Sequence, residues 1–438
     1  MRQFPLLCLS LVITLNAGCG GNDNANTSVL SPEADASSDA ALDTDTFYSD
    51  VQDVDSSVED QATTDTAPDV AHDSPPPNDA NDANDANDAN DANDANDAND
   101  ANDADAPSPG LGCITGQFAP FLGNLHAHTS YSDGQLEPKD AFAHARDVAG
   151  LDIMVVTDHL EQLYWVPPVG RWQQCKSQAD DNNQPGSFLA DCGFEYGSGF
   201  NSSVQSTGHN NVFFPDGLFP MVQTDFHDFF QTLQGCGSCL AQFNHPGSDP
   251  TQTWNDFAYD PAVDAKLNLF EFNGGADTWS LLFTALDAGW HVSPDFNQDN
   301  HSADWGTAND DRSGFYMSEL TRPSLRDAMA SRRSFASEDK NATVRLMADG
   351  ICWMGSILQG YSSLTLEVTA QDPDTADGFS TIELWGPHQS LLGSVDCAGT
   401  QSCTATFPVT APASTYFVAR ALQADGNALV TAPIWASP

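Results

Sequence analysis

The sequence predicts an α/β domain with a site at the ends of its strands, followed by a small antiparallel β-sandwich. Three observations predict it. Residues 121–159 read as strand, helix and strand, with polar residues massed where both strands end. Beyond Asn341, apolar residues recur with period two between turn residues, the pattern of half-buried antiparallel strands. Ahead of both lies a tract, Gly20 to Gly110, holding 24 acidic residues and no Lys or Arg. That tract lacks the apolar content to fold and reads as a disordered acidic tether.

Taken in order, residues 1–19 form a targeting segment. Arg2 precedes an apolar run, Phe4 to Leu15, that is too short for a membrane anchor. The run ends Leu15-Asn16-Ala17-Gly18-Cys19-Gly20, which resembles a bacterial lipoprotein processing site and makes Cys19 the expected lipidation position. Asn16 departs from the aliphatic residue usual there, so cleavage as an ordinary secretory signal is the competing reading. Gly20 after the cysteine suggests outer-membrane sorting by the same resemblance. The expected localisation is exported and lipid-anchored. No other apolar stretch reaches transmembrane length.

Residues 20–110 carry half of the formal net charge of −48. The Asn-Asp-Ala triplets from Asn78 to Ala104 have period three without the glycine of collagen. Repulsion between their aspartates extends the chain. A calcium-binding repeat is the alternative, weakened by the absence of the glycine turns that fold such loops.

From about Leu111 the texture becomes globular. His126 and His128 occupy alternate positions of an extended segment and so reach one face together. Asp133 follows five residues after His128, and Asp158-His159 arrives on the apolar run Ile153-Met154-Val155-Val156. Between them Ala141, Phe142, Ala145 and Val148 have helical spacing, with Pro138 suited to the first turn and Gly150 to the end. Imidazoles and carboxylates gathered at strand ends point to divalent-metal chemistry. Buried histidines satisfied by backbone groups are the bland alternative, and His227 and His291 are read that way, while His144, on the first helix, is expected to face solvent or pack.

His126-x-His128, Ser132-Asp133-Gly134 and Thr157-Asp158-His159 resemble the opening motifs of the PHP (polymerase and histidinol phosphatase) metallohydrolase superfamily. Phe194-Glu195, Gly208-His209, Asn244-His245-Pro246 and Asp299-Asn300-His301 resemble its later motifs in order. The continuation to Trp305-Gly306, the segment Leu325 to Ala328 and Arg332-Arg333 bring it nearest to the CehA/McbA-like branch. The resemblance spans about Phe121 to Ser337, half the chain.

The resemblance implies a distorted (βα)7 TIM-like PHP barrel over residues 111–340, with the β-sandwich over 341–438. It implies two or three divalent metal ions (Zn, Mn or Fe). His126, His128, Glu195 and Asp299 would hold one; Glu195, His209 and His245 a second; Asp133, His159 and His301 a third. Asp158, Glu195 and His245 are the expected catalytic residues, Asp158 orienting a ligand or accepting a proton. Should Glu195 not serve, Asp191 and Asp216 are the nearby carboxylates. Arg312, Arg171 and Lys176 are candidates for holding an anionic substrate oxygen. Glu271 and Asn273, on an alternating strand, have an expected supporting role.

The implied reaction is hydrolysis of a small-molecule phosphoester by metal-activated hydroxide. Carboxyl-ester or carbamate hydrolysis on the same site stays open, as does a noncatalytic metal-containing binding lipoprotein. The acidic balance disfavours nucleic acid as a partner. Eight cysteines follow the signal segment, an even number that reads as disulfides in an exported chain. Cys175–Cys192, Cys236–Cys239 and Cys397–Cys403 are attractive local pairs, leaving Cys113 for Cys352, one connectivity among 105. Cys236 and Cys239 could instead form a redox or zinc pair.

Overall fold

The computed structural model describes residues 112–165, 170–197, 208–221, 226–248, 254–272, 277–410 and 413–438. The expected signal segment, Cys19, the tether and Asn273 lie outside these residues. Among the described residues, no helix is long and apolar enough to cross a membrane.

Three parallel strands open the fold: β1 (Ala119–Asn124), β2 (Ile153–Val156) and β3 (Leu189–Cys192). Strands β2 and β3 are buried throughout, as continuous runs covered on both faces require. The helix between β1 and β2, Pro138–His144, buries Pro138, Ala141 and Phe142. It then widens into a π turn, Ala145–Ala149, closed by Gly150 at φ 70°. That widening breaks the expected spacing: Ala145 stays buried, but Val148 turns outward and is 66% exposed.

A second sheet follows in the order β4 (Phe194–Tyr196), β5 (Asn210–Phe213), β6 (Leu240–Phe243), β7 (Leu267–Phe272) and β8 (Ser293–Phe296). Its pairs β6–β7 and β7–β8 are parallel, whereas β4–β5 and β5–β6 are antiparallel. One bridge, His159 to Glu195, links the segment after β2 to this sheet. On the other side, β9 (Arg312–Met317) pairs antiparallel with β1, and β10 (Ser334–Ser337) pairs antiparallel with β9. Ser334 Oγ donates to Pro294 O at 3.0 Å, which sets β10 beside β8. The uniform parallel alternation of a (βα)7 unit is therefore not what is found. Only Gly193 separates β3 from β4, and neither that step nor an antiparallel pair calls for the crossover helix of a parallel connection.

The C-terminal region is antiparallel apart from one pair. One sheet runs β12 (Cys352–Trp353), β11 (Thr343–Ala348), β14 (Ser363–Gln371) and β17 (Ser402–Thr410). The facing strands are β13 (Ile357–Gln359), β15 (Phe379–Gly386), β16 (Ser390–Thr400), β18 (Thr415–Gln423), β19 (Ala428–Thr431) and β20 (Ile434–Ser437). Only β13 and β20 pair in parallel. Val344, Leu346, Leu366, Val368, Ile382 and Leu384 share one buried cluster with Ala419 and Ala421, each the inward half of an alternating strand. Strand β19 also pairs with β10, so hydrogen bonding runs unbroken across position 340. Among the described residues there are four disulfides, Cys113–Cys352, Cys175–Cys192, Cys236–Cys239 and Cys397–Cys403.

Candidate metal centre

The centre is assembled at one edge of the strands, past the ends of β1, β2, β6 and β8, within β4 and ahead of β5. His126 and His128 follow β1 and are fully buried; His159 follows β2; Glu195 lies in β4 and His209 just before β5. His245 follows β6, while Asp299 and His301 follow β8. His245 and Asp299 both have left-handed backbone, at φ 32° and 49°. Non-glycine residues seldom adopt it, and such strain concentrates at functional sites. Two glycines make room. A Cβ on Gly134 would lie 2.6 Å from the His128 carbonyl carbon, and Gly208, at φ 138°, would drive one into the Trp254 ring.

Glu195 is the hub. Its carboxylate is 1% exposed, yet five histidines bring a ring nitrogen to it. Oε2 lies 3.4 Å from His126 Nε2, 3.2 Å from His128 Nε2 and 3.0 Å from His159 Nδ1. Oε1 lies 3.0 Å from His209 Nδ1 and 3.3 Å from His245 Nε2. Asp299 Oδ1 sits 3.2 Å from His126 Nε2 and 3.0 Å from His128 Nε2. Asp133 faces His301 Nε2 at 3.3 Å and His159 Nε2 at 3.6 Å.

These atoms fall into three groups whose members lie within 4.8 Å of one another. They are His126, His128, Glu195 and Asp299; Glu195, His209 and His245; and His128, Asp133, His159 and His301. All nine sequence-predicted ligands are brought together, and His128 faces two groups.

The donor set fits divalent cations better than it fits hydrogen bonding. His126 Nε2 and His128 Nε2 point at each other across 3.3 Å. Asp299 Oδ1 and His159 Nδ1 are buried without a hydrogen-bond partner despite these short distances. Atoms placed closely but misaligned for proton sharing are what a common cation would satisfy.

The remaining ring nitrogens are held from behind, which fixes the tautomers. His126 Nδ1 lies 2.9 Å from Glu271 Oε1, His128 Nδ1 3.2 Å from Ser132 Oγ and His245 Nδ1 3.0 Å from Ser248 Oγ. Glu271 Oε2 also accepts from His245 N at 2.6 Å. Asn244 Nδ2 donates to Glu195 Oε1 at 2.9 Å. Ser248 and Asn244 were missed as site residues. Asn244 had a signal in its place beside His245, whereas Ser248 had only the three-residue step that returns a turn on itself.

Electrostatics follow from this crowding. Burial disfavours protonated His126, but the combined fields of Asp299, Glu271 and Glu195 outweigh it and raise its pKa well above the usual value. His128 and His245 are raised in the same way, against the same burial, by their carboxylates. Burial likewise opposes charge on His159, yet Asp133 and Glu195 lift it to about 11. Conversely, burial works against ionised Glu195, but the surrounding imidazoles hold it well below the carboxylate range. Asp133 is lowered chiefly by His159, and Asp299, against its burial, by His126 and His128.

Other candidates are placed differently. Asp158 stands outside the ligand groups. Its oxygens accept from Thr129 N at 2.7 Å, Thr129 Oγ1 at 2.7 Å and Ser132 Oγ at 2.6 Å, so it fixes the turn that presents His128. Arg312 is buried and spends its guanidinium on the carbonyls of Gly306, Asn309 and Asp311. Arg171, also buried, donates to Tyr131 O at 2.7 Å, and Lys176 pairs with Asp191. None of the three is among the groups that gather around Glu195. His144 contacts Trp305 O at 2.8 Å and His291 contacts Asp264 at 2.7 Å, both structural roles.

No family model matches the chain, and no curated protein does. Among solved structures it is similar to a two-domain protein containing a predicted PHP-like metal-dependent phosphoesterase from Bacteroides vulgatus. The two share 17% identity over 70% of this chain and 93% of that one, with a TM-score of 0.41. It is also similar to the lesion-specific endonuclease PfuEndoQ from Pyrococcus furiosus, at 14% identity over 48% of this chain and 56% of that one, with a TM-score of 0.33. Both likenesses are loose, and the chemistry of the centre rests on its own side chains.

Proposed function

We propose that the chain is a metal-dependent hydrolase of the PHP type that cleaves a small-molecule phosphoester. One observation carries this reading: six imidazoles and two further carboxylates gather with the buried Glu195 in three overlapping ligand groups, five of the imidazoles against Glu195 itself. Two or three divalent ions, Zn, Mn or Fe, held there would supply Lewis-acid polarisation and a nucleophile at neutral pH. Glu195 bridges the groups, and Glu271 and Ser248 hold His126 and His245 with their Nε2 atoms facing inward.

The substrate side is the exposed rim. The His301 and Asp133 side chains are 41% and 46% exposed, against complete burial of His126 and His128. His301 Nε2 lies beside Asp133 Oδ1 on that rim, at 3.3 Å.

Carboxyl-ester or carbamate hydrolysis is the second reading. It is favoured by one observation: Arg312, Arg171 and Lys176, the cations expected to hold a phosphate oxygen, all have partners within the protein. A carbonyl centre needs no such anion clamp. Export with a lipid anchor at Cys19 is part of the proposal, supported by four disulfides, which persist in oxidising compartments.

The test is a panel of phosphate, carboxyl and carbamate esters on metal-reconstituted protein, with His126→Ala as control. The variant loses metal and turnover while keeping its circular dichroism spectrum. Full activity in His126→Ala refutes the reading, and stoichiometric metal without turnover of any ester assigns a binding protein instead.

A further inference from the structure

We infer that Asp339, Asp372, Asp377 and the Gln423 carboxamide form a separate calcium site beside the sandwich, distinct from the histidine centre. The three carboxylates lie with oxygens within 4.8 Å of one another. Two Ca–O bonds of about 2.4 Å span that distance. Asp339 and Asp372 are 6% and 5% exposed. Among the described residues no Lys or Arg pairs with any of the three; Lys340 instead faces Asp374 at 3.5 Å. Buried anions are costly without a counter-charge in contact; the field of Arg312 reaches Asp339, but among the described residues no cation touches the group.

Gln423 is the independent sign of a ligand. It is 3% exposed, and its amide end sits between the two buried carboxylates. Nε2 donates to Asp372 Oδ2 at 2.7 Å and to Asp339 Oδ2 at 3.2 Å. Its Oε1 is buried with no partner at all. Backbone N–H groups of Asn341 and Ala342 donate to Asp339 Oδ1 at 2.8 Å and Asp374 N to Asp372 Oδ1 at 2.7 Å, so the two Oδ2 atoms are left to share the one Gln423 donor. With a cation between the two Oδ2 atoms, a half-turn of the amide makes the orphaned Oε1 a further ligand. Without a cation that turn would set oxygen against oxygen.

The donor set is all oxygen, which selects a hard cation over zinc or copper. The local sequence agrees. Asp372-Pro373-Asp374-Thr375-Ala376-Asp377-Gly378 supplies two of the three acids from one short loop that closes on a glycine. Gly378 has no room for a side chain, since a Cβ there would lie 2.2 Å from Gly399 O. Asp372 follows β14, Asp377 precedes β15, Gln423 ends β18 and Asp339 lies between β10 and β11. An ion there would clip both sheets of the sandwich to the segment leading from the histidine centre.

The experiment uses the full chain, stripped with chelator and titrated with calcium chloride by calorimetry, with ion content read by mass spectrometry. Wild type takes up one calcium per chain, with Kd at or below about 10⁻³ M, and its Tm rises with calcium. The Asp372→Asn/Asp377→Asn variant weakens binding roughly tenfold or more and loses the Tm rise. His126→Ala keeps both. Asp377→Asn alone, at a partly exposed position, repeats the comparison without disturbing a buried residue. The inference is overturned if wild type takes up no calcium at about 10 mM. It is equally overturned if uptake survives the Asn variants and is lost in His126→Ala, which would place calcium in the histidine centre.

Discussion

Replacing Glu271 by Gln tests whether the residue behind the histidines sets the metal affinity of the centre. Glu271 is fully buried, and its two oxygens serve two different ligands: His126 Nδ1 at 2.9 Å and the His245 amide at 2.6 Å. Gln keeps the shape and one oxygen but confronts one of those donors with an NH₂ group. The structure thus predicts loss of one charge-assisted hydrogen bond, worth about 1.5–3 kcal/mol, and a buried donor left unpaired. Part of the folding cost is offset nearby. Asp295 has its pKa raised well above the usual value, by burial and then by Glu271, so removing that charge relieves it. The effect should therefore appear mainly in metal binding, as a loss of about 10- to 100-fold, or about 1.4–2.7 kcal/mol. Competition with a chromogenic chelator measures it, alongside Tm of the metal-free protein. Affinity within about twofold of wild type would refute the orienting role of Glu271.

The pH dependence of the metal-free protein has a definite sign. His126, His128, His159 and His245 have raised pKa values in the folded state, so their contributions are complete below the unfolded value near 6.5. They are lost as pH rises through the folded values, which reach about 11 for His159. Glu195, Asp133 and Asp299 are depressed, so their contributions are present above the unfolded carboxylate range and lost as pH falls through their folded values. Metal-free Tm should peak between roughly pH 4.5 and 6.5 and decline above it, while the stabilisation by added zinc grows with pH because binding displaces protons. Scanning calorimetry from acid to alkaline pH checks this, and a metal-free Tm rising above neutrality would contradict it. Among the disulfides, Cys113–Cys352 closes a separation of 239 residues and Cys236–Cys239 one of 3. Paired Ser substitutions should cost about 3–5 kcal/mol at the first and clearly less at the second in urea unfolding; the reverse order would argue against loop closure as the source.

Some candidate ligands were legible from local signals, alternate histidines on an extended segment or a carboxylate and imidazole just past an apolar run, whereas Glu195, within β4, and His209, ahead of β5, were legible only through the resemblance of their motifs. Those signals are short-range, and so is the geometry they report. The antiparallel course of β4–β6 was not legible. Asn210–Phe213 and Leu240–Phe243 are buried strands whichever way their neighbours run, and four buried residues carry no mark of direction. The outward turn of Val148 was hidden for a related reason. A π turn changes the angular step by one residue without altering composition.

What lies beneath the centre was the least legible and explains most about it. Asn244 Oδ1 accepts from Asn211 N at 2.9 Å and Gln242 Nε2 at 3.0 Å, while its Nδ2 supports Glu195. Asn297 donates to Asp295 at 2.7 Å and accepts from Leu125 N at 2.6 Å and Ser313 Oγ at 2.8 Å. Asn211, Gln242, Asp295 and Ser313 are buried within strands, at positions where strand periodicity alone predicts Val, Ile or Leu, and Asn244 and Asn297 follow directly on β6 and β8. An apolar floor would leave Glu195 facing only imidazoles, free to shift toward any one of them. A floor of amides supplies neutral donors that fix the carboxylate without adding positive charge to compete with cations. The conflict between strand pattern and polar content is therefore itself informative: it marks the strands whose inner faces serve the site and not the core.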